Sequence, residues 1–222
     1  MKLLAFDTAT EVCTAALWLN GQVLERAETH SQHSEHLLAM VDRLLAEAEL
    51  KLGQLDAVAF GCGPGSFTGL RIGAGVAQGL AYSASLPVVP VSSLAVLAQG
   101  VEAERVLAAF DARMQQVYWG VYRRNALGLV ESVQPEIVVN PAAVPMPEGQ
   151  GWVGAGPGWD VYAERLEKCL AGHLGRREAG RSPQASHLAV LAVAAVAAGR
   201  ALPADQALPV YVRDNVAAKP GR

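Results

Sequence analysis

The 222-residue sequence is poor in cysteine, aromatics, charge and long apolar runs, and each shortage closes off a class of function. Its three cysteines, Cys13, Cys62 and Cys169, lie far apart with no Cys-x-x-Cys pair. Neither a disulfide framework nor a cysteine-based zinc site follows. There is no basic surplus: 18 Lys and Arg stand against 21 Asp and Glu, a formal charge of −3. Tight autonomous binding of RNA or DNA is therefore disfavoured. The longest unbroken apolar run, Leu188 to Ala198, has eleven residues, too few to span a bilayer. The apolar start stops at Asp7, short of a signal-peptide core. With 51% hydrophobic and 18% charged residues, global disorder is excluded and a sizeable core is possible. The expectation is a soluble, cytoplasmic, globular protein.

What is present reads as two similar halves. Leu3–Phe6, Val12–Leu19 and Gln22–Thr29 read as an antiparallel meander, with Asn20-Gly21 suited to the positive φ of a tight hairpin. Leu37, Leu38, Val41, Leu44, Leu45 and Ala48 share one helical face, with Ser34 as N-cap. Strand Ala57–Phe60, a loop over Gly61–Ser66, helix Gly69–Tyr82 and strand Pro87–Val91 form a βαβ unit with parallel strands. A second set follows: strands Leu107–Phe110, Val117–Tyr122, Leu129–Val139 and Trp152–Gly154, then helices Val161–Leu170 and Ala185–Ala198. The expected fold class is α/β, with domains over 1–102 and 103–205. Residues 206–222 form a tail that packs back on the first domain.

The chemistry is sparse. Gly61 and Gly63 begin a dinucleotide fingerprint, but Ser66 takes the third glycine's place, and no Walker lysine follows. Gly154 and Gly156 fail in the same way, at Trp159. A tight strand-to-helix turn explains the first loop as well as phosphate does. Gly69, Gly73, Gly75 and Gly79 sit in one helix, each costing roughly 1 kcal/mol against alanine. Gly69, Gly73 and Ala77 make one smooth stripe and Gly75 with Gly79 a second. One reading packs a stripe on the domain's own sheet; the other sets a helix against another subunit, and two stripes can serve both. His30, His33 and His36 spread over about 120° of helical arc, too wide for one metal. Asp7-Thr8-Ala9-Thr10 at a strand end could hold Mg²⁺ or phosphate, although these residues also favour turns. Asp111-Ala112-Arg113 closes a second strand, where bulky Arg113 argues against a phosphate cradle. No nucleophile elbow is present.

Four segments together resemble the bacterial TsaB (YeaZ) family: Leu3 to Thr10, Gly63-Pro64-Gly65-Ser66-Phe67-Thr68-Gly69-Leu70-Arg71-Ile72-Gly73, Asp111 to Tyr118, and Pro209-Val210-Tyr211-Val212-Arg213. The resemblance covers residues 1 to about 217. It implies two related actin-like, Hsp70-like (ribonuclease H-like) domains with mixed sheets flanked by helices. It implies a non-catalytic scaffold, without cofactor or bound metal, in N6-threonylcarbamoyladenosine formation at position 37 of tRNAs reading ANN codons. Such proteins pair with the paralogue TsaD, recruit the ATPase TsaE, form homodimers through the same surface, and meet tRNA only indirectly. The expected partner surface is Gly69, Arg71, Ile72, Gly73, Val76, Ala77 and Leu80, with Leu37 and Val41. Arg71 and Gln78 stand at its rim, and Gly73→Leu is expected to break pairing in a folded protein. A vestigial nucleotide cleft is expected at Asp7, Thr8, Thr10, Gly63, Gly65, Ser66, Asp111 and Arg113. Ala9 and Arg113 stand where the ATPase fold favours glycine, which speaks against ATP hydrolysis. The alternatives are a weak ATP-dependent enzyme built on that cleft and, on the histidines and an inherited family name, a metallopeptidase.

Overall fold

A computed structural model of the chain describes residues 1–29 and 33–213, without the side chains of residues 33–35. The first sheet opens with the meander: β1 (Lys2–Asp7), β2 (Val12–Leu19) and β3 (Gln22–Thr29) are antiparallel neighbours. Their turn places Asn20 and Gly21 at φ 53° and 102°, as the Asn-Gly pair demands. After α1 (His33–Glu47), β4 (Ala57–Gly63) lies parallel to β1. After α2 (Phe67–Ala84), β5 (Val88–Ser92) lies parallel to β4. The order is β3-β2-β1-β4-β5.

Helix α3 (Ser93–Gln99) leads into the second sheet. There β6 (Arg105–Asp111), β7 (Val117–Arg124) and β8 (Val130–Ser132) form another antiparallel meander, and β9 (Ile137–Val139) pairs with the start of β7. β10 (Trp152–Ala155) lies parallel to β6; α4 (Pro157–Cys169) then leads to β11 (Leu174–Glu178), parallel to β10. Helix α5 (Ala185–Ala197) closes the described secondary structure apart from a short 3-10 turn at Ala204–Gln206. The path β8-β7-β6-β10-β11 repeats the first sheet strand for strand. This is the duplicated, actin-like arrangement of two mixed sheets flanked by helices.

Four differences from the sequence reading have local causes. Leu129–Val139 is two strands, because Pro135 has no N–H to give a ladder. Gly61–Gly63, read as loop, belongs to β4. α3 and β11 were not anticipated: α3 has only seven residues, and β11, Leu-Gly-Arg-Arg-Glu, is a largely exposed edge with no apolar alternation. Finally, α5 belongs by packing to the first sheet, not to a 103–205 unit. Leu188, Ala189 and Ala192 are buried on Leu3, Ala5, Ala57 and Ala59, whereas Leu94, Leu97 and Ala98 of α3 are buried on the second sheet. The two helices touch each other, and Leu191 reaches both clusters. The opposite faces carry α1 with α2 on the first sheet and α4 on the second.

Candidate functional site

The end of β1 is sealed inside the fold. Asp7 is fully buried; its Oδ1 accepts from the Ala9 amide at 2.8 Å and its Oδ2 from the Ser93 hydroxyl at 2.7 Å. Burial raises its pKa, against those two hydrogen bonds. A side chain at Gly61 would overlap Oδ2, so this glycine makes room for a carboxylate rather than a phosphate. Thr8 is equally buried and donates its hydroxyl to the Gly69 carbonyl at 2.7 Å. The expected cleft residues Asp7 and Thr8 therefore line no open space.

The other expected cleft residues divide. A cavity of about 690 Å³ opens where the ends of both sheets meet, and Thr10, Gly65, Ser66, Asp111 and Arg113 line it. Its polar groups largely satisfy one another. Asp111 accepts from the Arg113 amide at 2.9 Å, from the Arg113 guanidinium at 3.2 Å and from the Tyr162 hydroxyl at 3.2 Å. Asp160 accepts from the Gly180 amide. Gly63 stays outside the cavity: a Cβ there would lie 2.7 Å from the Val210 carbonyl of the tail. The second glycine run packs rather than binds, since a side chain at Gly154 would overlap the Trp159 ring.

Helix α2 has two unlike faces. A Cβ at Gly69 would overlap the Thr8 carbonyl oxygen, one at Gly73 would lie 2.6 Å from the Thr8 hydroxyl, and Ala77 is fully buried. Leu37 and Val41 of α1 are also in the core. These five expected interface residues are occupied within the chain, and Gly73→Leu would strike the fold itself. Arg71 and Gln78, expected at a partner's rim, meet the chain's own C-terminal part: Arg71 Nε donates to the Tyr211 hydroxyl of the tail at 3.0 Å and Gln78 to the Asp205 carbonyl of the 3-10 turn before it at 3.5 Å. The open face carries Ile72, Gly75, Val76, Gly79 and Leu80, spaced i, i+3, i+4, i+7 and i+8. Gly75 and Gly79 are exposed, and among the described residues a Cβ on either would meet nothing within 4 Å. Ile72, Val76 and Leu80 are half-buried, and Leu38 of α1 and Tyr82 of α2 are 46% and 80% exposed.

His36 Nδ1 lies 2.8 Å from Glu28 Oε2; His30 and the side chains of His33 and Ser34 lie outside the described residues. Among the described residues no group of three or more His, Cys, Asp or Glu is placed to hold a metal, and no helix is long and apolar enough to cross a membrane. One cluster had no signal in the sequence. The carboxylate of Glu136, from the β8–β9 connection, accepts from both Ser92 and Tyr122 hydroxyls. Burial raises the Glu136 pKa despite those bonds, and burial followed by the Glu136 charge raises that of Tyr122.

The chain is similar to known proteins along its whole length. The family model described as TsaD, tRNA N6-adenosine threonylcarbamoyltransferase, matches residues 25–220. The tRNA threonylcarbamoyladenosine biosynthesis protein TsaB of Escherichia coli is 40% identical, with all of both chains aligned. Its namesake in Haemophilus influenzae is 38% identical over all of this chain and 98% of the relative. The solved structure of YeaZ from Pseudomonas aeruginosa superposes with a TM-score of 0.88 at 45% identity, covering 95% of this chain and 99% of that one.

Proposed function

Because the chain belongs to the TsaB family of tRNA threonylcarbamoyladenosine biosynthesis proteins, we propose that it serves that modification as a non-catalytic scaffold. On this reading its α2 face pairs with TsaD, the pair recruits TsaE, and the complex modifies position 37 of tRNAs reading ANN codons in the cytoplasm. In isolation the same face joins two copies of the chain. The tRNA is met through the partners, in keeping with the absence of a basic surplus.

The observation that carries the reading is the pair of uncovered glycines, Gly75 and Gly79, inside α2. Each costs a helix roughly 1 kcal/mol, and none of the described residues uses the space they leave. With Ile72, Val76 and Leu80 beside them, they form a shallow apolar track that another helix can approach closely. The scaffold role is supported at Asp7, whose carboxylate is held by Ser93 and Ala9 beneath the surface rather than offered to a metal-nucleotide. The test is Gly75→Leu and Val76→Asp in a reconstituted threonylcarbamoylation assay with TsaD, TsaE and the adenylate-forming synthase. Both variants are expected to stay folded, to lose co-elution with TsaD, and to lose activity. Full pairing in both would overturn the assignment of this face.

A further inference from the structure

The tail residues Leu208–Arg213 have no regular secondary structure, yet they are fixed at three points. The Val210 amide donates to the Cys62 carbonyl at 2.7 Å, extending β4 by one rung. Gly63 makes that seat possible, with φ at +117° and no Cβ to collide with the Val210 carbonyl. Tyr211 joins a small stack on α2: its ring lies 5.7 Å from that of Phe67, its hydroxyl accepts from Arg71, and the Arg71 guanidinium lies 3.7 Å over the Phe67 ring. Arg213 crosses to the second sheet. It donates to the Ala112 carbonyl at 3.1 Å, to Gln116 Oε1 at 2.6 Å and towards Met114 Sδ at 3.4 Å.

What Arg213 holds is strained. Arg113, Met114 and Gln115, the tip of the β6–β7 hairpin, have φ of 59°, 51° and 57°, three successive non-glycine residues in the left-handed region. Such residues persist where the surroundings over-determine them. Inside the hairpin the restraints are local: the Ala112 amide donates to the Gln116 carbonyl at 2.9 Å, the Gln116 amide to the Arg113 carbonyl at 3.0 Å, and Asp111 accepts from the Arg113 amide and guanidinium. The strap itself is lightly held, with Leu208, Val210 and Tyr211 62%, 52% and 42% exposed. Strap and hairpin together line the cavity between the sheets, through Val210–Arg213 on one side and Ala112–Met114 on the other.

We propose that Leu208–Arg213 is a releasable strap: seated on Gly63 and Phe67 of the first sheet's unit, it clamps the strained β6–β7 hairpin through Arg213 and so keeps the inter-sheet cavity closed at that edge. Segments with little buried area and few contacts open at far lower free energy than the core, and a hairpin under strain has a second conformation to relax into. The device is independent of which partner α2 meets.

Hydrogen exchange on the whole protein tests it, with Arg213→Ala, Tyr211→Ala, a chain ended after Ala207, and a control chain ended after Arg213. Arg213→Ala is expected to raise exchange at the Ala112 and Gln116 amides by about tenfold or more, leaving Val153 and Gly154 of β10 unchanged. Tyr211→Ala and the chain ended after Ala207 are expected to speed alkylation of buried Cys62 as well, whereas the control behaves like the full chain. Unchanged hairpin exchange in Arg213→Ala overturns the proposal. So does a control chain that loosens the hairpin, since residues after 213 would then be responsible. Should the shortest chain lose protection throughout, the two point variants, which keep the strap's backbone, decide.

Discussion

The Ser93 hydroxyl donates to Asp7 Oδ2 at 2.7 Å, a bond between residues 86 apart in the chain, and its neighbour Ser92 donates to Glu136. Two adjacent serines at the β5–α3 junction thus serve two carboxylates, the buried Asp7 and the half-buried Glu136, one from each sheet's unit. Burial raises the Asp7 pKa above 3.8, so the folded protein holds that proton more readily than the unfolded chain. Its contribution to stability is complete below the unfolded value and fades as pH rises through the folded one. Asp7→Asn, which keeps an acceptor for Ala9 and an amide to meet Ser93, is therefore expected to raise the urea midpoint at pH 8, with a gain that shrinks as pH falls towards the unfolded value. A gain of equal size at all pH would place the effect elsewhere.

The two faces of α2 predict opposite effects of one substitution. Gly75→Ala and Gly79→Ala add a Cβ into open space and remove a helix penalty, so each is expected to stabilise the isolated chain by up to ~1 kcal/mol. Gly73→Ala pushes a methyl to 2.6 Å from the Thr8 hydroxyl, which is itself bonded to Gly69, and is expected to lower stability. Urea denaturation of the three variants separates the faces.

A weak ATP-dependent enzyme needs Asp7 or its neighbours to reach a bound metal-nucleotide. Asp7 and Thr8 are fully buried, and Gly63 is covered by Val210. Calorimetric titration with Mg-ATP into the millimolar range is expected to give no saturable heat, and Asp7→Asn to leave reconstituted threonylcarbamoylation intact. Saturable binding that Asp7→Asn weakens would restore the enzymatic reading.

The hairpin tip offers a test of strain that does not involve the strap. Gln115 has φ of 57°, a conformation that costs an L-residue roughly 1 kcal/mol and glycine little. Gln115→Gly is expected to stabilise the protein by about that amount in chemical denaturation. A loss of similar size would mean that the Arg165–Gln115 contact at 3.4 Å outweighs the strain.

Much of the fold was legible because local pattern and packing agree. The Asn20-Gly21 turn, the two meanders and the buried face of α1 each follow from a period or a turn residue. The site was less legible because the same glycines serve opposite ends. Nothing local distinguishes Gly73, which faces Thr8, from Gly75, which faces away from the rest of the described chain; the direction each faces depends on how α2 is rolled on the sheet. Gly61 resembles the start of a phosphate loop, yet its partner is the Asp7 carboxylate, 54 residues earlier. Arg71 and Gln78 carry no mark that the chain's C-terminal part will meet them, and Glu136 none that two hydroxyls will.

That last cluster predicts a measurable coupling. Tyr122, fully buried, and Ser92 are the two hydroxyl donors to Glu136. Tyr122→Phe leaves a half-buried carboxylate with one donor, a loss of about 1.5–3 kcal/mol for a hydrogen bond to a charged group. Glu136→Gln removes the charge that needed both donors, so Tyr122→Phe is expected to cost distinctly less in that background. The thermodynamic cycle of the two single variants and the double variant is thus expected to give a coupling of at least about 0.5 kcal/mol. Strict additivity would mean that the Tyr122 hydroxyl acts independently of Glu136, and that Ser92 by itself holds the carboxylate joining the second sheet's unit to the first.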